Sequence, residues 1–305
     1  MFCIERITQE STYLKQYFLQ TRLKQMRPTI DDVECFLALD STALYAGMLD
    51  GKPIGVIAVF KYEYGYRHVG ALYIEDKYRK CGYGSQLSLR AFKMSEPIEN
   101  LSLYTLPMPY KIEMYKKYYG VHEILYNSVE VHTLNSATAL RKLQGISMDA
   151  TYHVKQVLDV DFEAVFNYDK LTFGYDRKQF LYKWLYSPAS RSCVALNNEG
   201  SVVGYIVARE IMVPDEGYKI GPWFCEDIDV GKVLIRAVLQ QINEQGRSTS
   251  NSARMACPVG RNPQVRNLLN ILNSDYVLKV AFMSRNGDLK GRVDKWFAVT
   301  SVVCG

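Results

Sequence analysis

At 305 residues the chain exceeds one typical domain, and two domains of about 150 residues are expected. A hydrophobic content of 48% is ample for packed cores. The 37 Lys and Arg against 32 Asp and Glu give a net charge of +5 that is spread along the chain, so a nucleic-acid partner is not expected, whereas an anionic cofactor is compatible with it.

Tyr13 to Met26 has helical spacing, with Leu14, Tyr17, Phe18 and Leu23 on one face. Asp31 and Asp32 cap a second short helix that runs to Leu39. Ala43–Leu49 and Pro53–Phe60 read as strands joined at Asp50-Gly51, a strong hairpin turn. A strand over His68–Ile74 leads into a glycine turn and a helix reaching Met94. Leu101–Leu106 is the next strand, ended by Pro107 and Pro109, followed by a helix over Tyr110–Tyr119 and a strand over Glu123–His132. Asn135 and Gly145 bracket a short linking helix.

Beyond Tyr152 the order resumes. Helices are expected over Val160–Tyr168 and Arg177–Tyr186, then a hairpin of Cys193–Leu196 and Ser201–Ile211 through Asn197-Asn198-Glu199-Gly200. A strand over Gly217–Phe224, an amphipathic helix over Asp229–Glu244 and a strand over Arg254–Pro258 follow. A helix over Asn262–Leu272 and strands over Tyr276–Ser284 and Lys295–Val303 complete the chain. The two halves thus repeat one order of elements, as two α+β domains would. The expected division is 1–133, a linker over 134–151, and 152–305.

The cysteines number seven, with no C-x-x-C pair, and read as reduced thiols in a cytoplasmic setting. Only four histidines are present, so no zinc site built from close sequence neighbours is expected. No apolar stretch approaches about 18 residues, so no membrane partner is expected, and no signal peptide is visible after Glu5. The 23 tyrosines cluster at Tyr62, Tyr64, Tyr66 and at Tyr115, Tyr118, Tyr119, where packing in the core, cleft walls and interfaces are all open to them.

Chemistry is legible in one stretch, Val69 to Lys93. An apolar strand ends at Ile74, the chain turns through Arg79-Lys80-Cys81-Gly82-Tyr83-Gly84-Ser85, and a helix begins. A helix start presents unpaired backbone N–H groups, and its dipole favours an anion at the same spot. Such a turn suits a phosphate or pyrophosphate. An ordinary tight turn, or a thiol at Cys81 activated by the helix end, are the competing readings of the same residues.

Residues 69–93 resemble the Gcn5-related N-acetyltransferase superfamily, whose cofactor signature (Arg or Gln, two residues, Gly, one residue, Gly or Ala) matches Arg79, Gly82 and Gly84. The supporting resemblance covers most of 1–133 and implies a tandem protein, each domain a mixed, largely antiparallel sheet flanked by helices. It implies that amides from Lys80 to Ser85 bind the pyrophosphate of acetyl-coenzyme A. It also implies that the strand around Leu72, Tyr73 and Ile74 splays from 101–106 to admit the pantetheine arm. An amide near Tyr73 or Ile74 would then stabilise the oxyanion.

The family's tyrosine beside the thioester sulfur corresponds to Tyr115, one residue further from Gly120 than usual, with Tyr118 and Tyr119 as rivals. Glu63, His68 and Glu75 are base candidates; a water chain is the alternative. The second half is similar to a C-terminal acetyltransferase-like domain of tandem bacterial and animal proteins. It retains Asp176-Arg177, Gly204-Tyr205 and Tyr218–Trp223 but lacks the cofactor signature. The implied activity is acetyl transfer to an amine, that of a small molecule or an amino-acid-like acceptor. A non-catalytic coenzyme A-binding or scaffold protein is the alternative.

Overall fold

The computed structural model describes residues 1–23, 26–147, 150–213, 215–245 and 250–305. Lys24 and Gln25 of the helix expected over 13–26, and Met148 and Asp149 of the expected linker, lie outside the described residues. The first half comprises β1 (Phe2–Arg6), α1 (Thr12–Arg22), α2 (Asp32–Leu39), β2 (Leu44–Leu49), β3 (Lys52–Lys61), β4 (Tyr66–Ile74), α3 (Tyr83–Met94), β5 (Asn100–Thr105), α4 (Pro109–Tyr119), β6 (His122–Glu123) and β7 (Val129–Asn135). The second comprises α5 (Ser136–Gln144), β8 (His153–Gln156), α6 (Phe162–Phe173), α7 (Lys178–Tyr186), β9 (Ser190–Leu196), β10 (Val202–Glu210), β11 (Tyr218–Cys225), α8 (Ile228–Gln245), β12 (Ser252–Cys257), α9 (Pro263–Ile271), β13 (Asp275–Ser284) and β14 (Trp296–Ala298). Both halves are α+β.

Local chemistry explains several boundaries. Asp50 and Gly51 both take positive φ, 49° and 78°, the backbone that a two-residue hairpin between right-twisted strands requires. Asn135 accepts the Thr138 N–H and so opens α5. Asp161 and Asn262 do the same for α6 and α9.

The sheets of the two halves are continuous, in the order β1-β2-β3-β4-β5-β13-β7-β12-β11-β10-β9-β8. β13 makes the join: its end, Ala281–Ser284, pairs with β5, and its start pairs with β7. β7 pairs with β12 from Glu130 to Asn135. The single strand expected over 123–132 is therefore divided. Among the described residues β6 pairs only with β13, a helical turn spans Leu125–Asn127, and β7 joins the second half's sheet. The alternation of Val129 and Val131 does not say which neighbour they face, because pairing is decided by tertiary contacts.

Packing also joins the halves. Tyr62 and Tyr66 of the tyrosine-rich hairpin pack against Phe173 and Tyr175, with ring centroids 5.0–5.6 Å apart. The Arg209 guanidinium lies 3.7 Å from the Trp184 ring and binds Asp31 and Asp32 at the start of α2. Arg177 and Asp169, both fully buried, form a bidentate pair of 2.6 and 2.9 Å. Such a pair is costly to break from one side, because the remaining charge is stranded in the core. Arg177 also donates to the Thr300 hydroxyl at 2.7 Å, which anchors the segment after β14.

Each half contains one parallel strand pair that begins in register and then diverges. β4 and β5 are paired from Tyr66↔Asn100 to Val69↔Leu103, and β11 and β12 from Tyr218↔Ala253 to Ile220↔Met255. The second divergence is filled: β14 pairs with β11, and Val299 N–H bonds the Ala256 carbonyl at 2.9 Å. The chain then crosses to the first half. A Cβ on Gly70 would sit 2.1 Å from the Val303 carbonyl oxygen, so only glycine admits this crossing. Among the described residues no helix is long and apolar enough to cross a membrane.

Candidate active site

The turn between β4 and α3 is held from within. Arg79 Nε donates to the Ile74 carbonyl at 2.9 Å and its Nη2 meets Asp76 Oδ1 at 2.7 Å, so Arg79 fixes the turn's own shape. Lys80 and Gly82 take φ of 64° and 81°, which rotates the following amides outward. Gln86 N–H, bonded to Gly82 O at 3.1 Å, makes the first bond of the helix. Among the described residues, the N–H groups of Cys81, Gly82, Tyr83, Gly84 and Ser85 have no acceptor. They lie at the positive end of a 12-residue helix, an anion-binding arrangement. A Cβ on Gly82 would meet nothing within 4 Å, and one on Gly84 only Ile74 Cγ1 at 3.5 Å. Cys81 is exposed, its sulfur 3.5 Å from the Arg79 carbonyl.

The gap between β4 and β5 opens beside this turn. Glu75 N–H bonds Ile54 O at 2.9 Å, and antiparallel pairing alternates, so Tyr73 pairs with Val56 while Leu72 and Ile74 turn their amides away from β3. Those amides face the gap. A bulge at Ala71, with φ 54°, bends the strand at this point. The gap continues into a cavity of about 530 Å³ between the halves, walled by Leu72, Thr105, Tyr115 and residues 299–303 among others.

Tyr115 projects from α4 into this cavity, its hydroxyl beside Thr105. Burial pushes its pKa up, so it stays protonated at neutral pH. The rivals point elsewhere: Tyr118 is exposed, and Tyr119 is buried with its hydroxyl donating to Ser88 Oγ at 2.6 Å.

The base candidates are not gathered at the cavity. Glu75 accepts from Tyr17 at 3.1 Å in a separate surface groove with Asp76 and Lys77. Glu63 accepts the Asp176 N–H at 3.1 Å, on the seam between halves. His68 is sealed in the core, its Nδ1 2.9 Å from Ser102 Oγ and its Nε2 facing the Val302 backbone without a full hydrogen bond.

Burial holds His68 down to about 4, from an ordinary 6.5. The unfolded chain therefore binds this proton first, and the contribution of His68 to stability is full above pH 6.5 and lost as pH falls toward 4. Urea unfolding between pH 7.5 and 4.5 is expected to show His68→Gln losing roughly 2 kcal/mol of the wild-type pH dependence. Identical slopes in the two proteins would contradict this assignment.

The cavity wall also carries residues that sequence reasoning missed. Arg22, Arg27, Lys111, Lys219 and Arg254 line it, and among the described residues no Asp or Glu does. Lys219, pushed down to about 8 by burial, lies 3.7 Å from Asp32 Oδ2. These cations come from five separate elements or loops, so no local spacing announces them.

The equivalent places in the second half are already taken. Asp227 Oδ1 accepts the N–H groups of Asp229 and Val230, both at 2.9 Å, and Gln264 accepts that of Ile228 at 2.8 Å. With β14 filling the divergence of β11 and β12, neither the amide cradle nor the gap is open there.

Comparison with known proteins agrees with two related units. A model described as Acetyltransferase (GNAT) family matches residues 10–120, and one described as Acetyltransferase (GNAT) domain matches 165–298. A holothin acyltransferase of Pseudoalteromonas sp. (strain SANK 73390) is 25% identical over 213 residues, 70% of this chain. The match spans 66% of that relative, just under two thirds of its length. A Pyrococcus horikoshii protein assigned to the acetyltransferases has a similar fold, with TM-score 0.76 and 16% identity, over 100% of this chain and 96% of that one. A tandem GNAT protein from the clavulanic acid biosynthesis pathway gives 0.68 at 11% identity, covering 94% and 100%.

Proposed function

We infer the function from one premise: this chain belongs to the Gcn5-related N-acetyltransferase superfamily, with two of its domains in tandem. We propose that it is an acyltransferase that takes an acetyl group from acetyl-coenzyme A and passes it to an amine, with one donor site, in the first half. The observation carrying this reading is the contrast between the two helix starts. The amides of 81–85 are unpaired beside an open gap, whereas those of 228–230 are already bonded beside a filled one.

The residues fit the donor. The amides of Cys81 to Ser85 would hold the pyrophosphate, with Arg79 and Lys80 shaping the turn. Those of Leu72 and Ile74 would hold the pantetheine arm, with one of them near the thioester carbonyl as a donor for developing negative charge. Bound there, the donor supplies an activated thioester. Tyr115, kept protonated by its surroundings, gives a proton or a hydrogen bond to the departing sulfur. None of the sequence base candidates lines the cavity, so water within it would carry the amine proton away. His68 is assigned a packing role by its burial.

The test is release of free thiol from acetyl-coenzyme A in the presence of a graded amine panel, run beside calorimetry with the same donor. The proposal expects saturable binding and acceptor-dependent release. Binding without release across the panel would instead indicate a scaffold, and absence of binding would remove the donor site. Competition by longer acyl-coenzyme A species tests the acetyl preference.

A further inference from the structure

The part of the inter-half cavity lined by Arg22, Lys219 and Arg254 has a charge that its own structure matches only in part. Arg22 is 2% exposed and rests against the rings of Phe18 and Phe36, 5.3 Å from each centroid. Its guanidinium makes no hydrogen bond or ion pair among the described residues, and Nε and Nη1 are wholly buried. A buried charge without hydrogen bonds is expensive. Lys219 and Arg254 stand in register on adjacent parallel strands, which puts their side chains on one face as like-charged neighbours. Asp32 is shared by Lys219, Arg209 and the more distant Arg22, and Glu216 is held by Arg27 and shared with the more distant Arg254. None of these carboxylates lines the cavity.

We propose that this wall receives a carboxylate of the acyl acceptor, so that the acceptor is an amino-carboxylate whose amine faces the Leu72–Tyr115 side. This rests on the acyltransferase reading above. None of residues 79–85 lines the cavity, so the cations are separate from the pyrophosphate turn. Nη2 is the one guanidinium nitrogen that is not wholly buried, and it has no partner among the described residues, so it is the donor that Arg22 offers a carboxylate. Enclosure between the halves selects for an acceptor small enough to share about 530 Å³ with the acyl end of the donor.

The experiment is calorimetry on the intact protein with paired probes: N-acetylglycine and N-acetyl-4-aminobutyrate, each against its carboxamide, together with inorganic phosphate. At least one carboxylate is expected to bind tenfold or more tightly than its carboxamide. Arg22→Gln and the half-buried Arg254→Gln are each expected to weaken it about tenfold. Equal binding of carboxylate and carboxamide, no carboxylate binding, phosphate binding tighter than every carboxylate, or unaltered affinity in the folded variants would overturn the proposal. Arg254→Gln keeps the test decisive where Arg22→Gln fails to fold. Coenzyme A affinity measured on the same samples separates the two readings: its retention with no carboxylate preference overturns only this one, and its absence overturns the donor site.

Discussion

Gly82→Val is expected to weaken coenzyme A binding at least a hundredfold while the protein remains folded. Gly82 sits at φ 81° as the residue before α3, and its side-chain position is open, with nothing within 4 Å. Valine therefore meets no steric clash with the protein, but the left-handed backbone costs it roughly 1–2 kcal/mol. The chain relieves that strain by rotating the turn, which moves the amides of 81–85 off their common focus. A hydrogen bond to a charged group is worth about 1.5–3 kcal/mol, so losing two accounts for a hundredfold or more. Calorimetry reads the affinity and thermal unfolding reads the fold, whose midpoint should fall by only a few degrees. Gly84→Ala is the internal contrast, since its methyl would make only ordinary contact with Ile74. Unchanged coenzyme A affinity in folded Gly82→Val would remove the turn from the site.

Tyr115→Phe is expected to lower kcat about a hundredfold, with KM for the acyl donor changed less than threefold. The hydroxyl is the atom removed, and the ring's packing against Tyr119, 5.1 Å between centroids, is kept. Because burial raises the pKa of Tyr115, loss of its proton should not limit the rate at neutral pH. Tyr119→Phe breaks the bond to Ser88 instead and should lower stability with little effect on kcat. Steady-state kinetics on both variants decides between the tyrosines: an unaffected kcat in Tyr115→Phe would assign the proton elsewhere.

The sequence carried the fold where periodicity and turn chemistry act locally. The Asp50-Gly51 hairpin, the helix after Gly82 and the strand–helix order of both halves follow from side-chain patterns and from backbone angles that few residues accept. The edge strands β1 and β8 were not legible, being short and largely exposed on their outer faces. Nor was the joining of the sheets. Val129 and Val131 specify a half-buried strand, but only the assembled molecule puts β7 beside β12 and inserts β13 next to β5.

The same division holds at the site. Arg79, Gly82 and Gly84 are close in the chain and stand together as a motif. Arg22, Lys219 and Arg254 are brought to one cavity from three distant segments, and each alone is an unremarkable cation. His68 had the right chemistry for a base on the right strand. Its alternation on β4 turns it inward, against Ser102 and the segment after β14.

The pairing of an open first cleft with a filled second one leads to a stoichiometry. Native mass spectrometry of the intact chain in saturating coenzyme A measures it directly. One coenzyme A per chain, lost in Gly82→Val, is the expected result. Two per chain, or one that persists in folded Gly82→Val, would contradict a single donor site at residues 81–85.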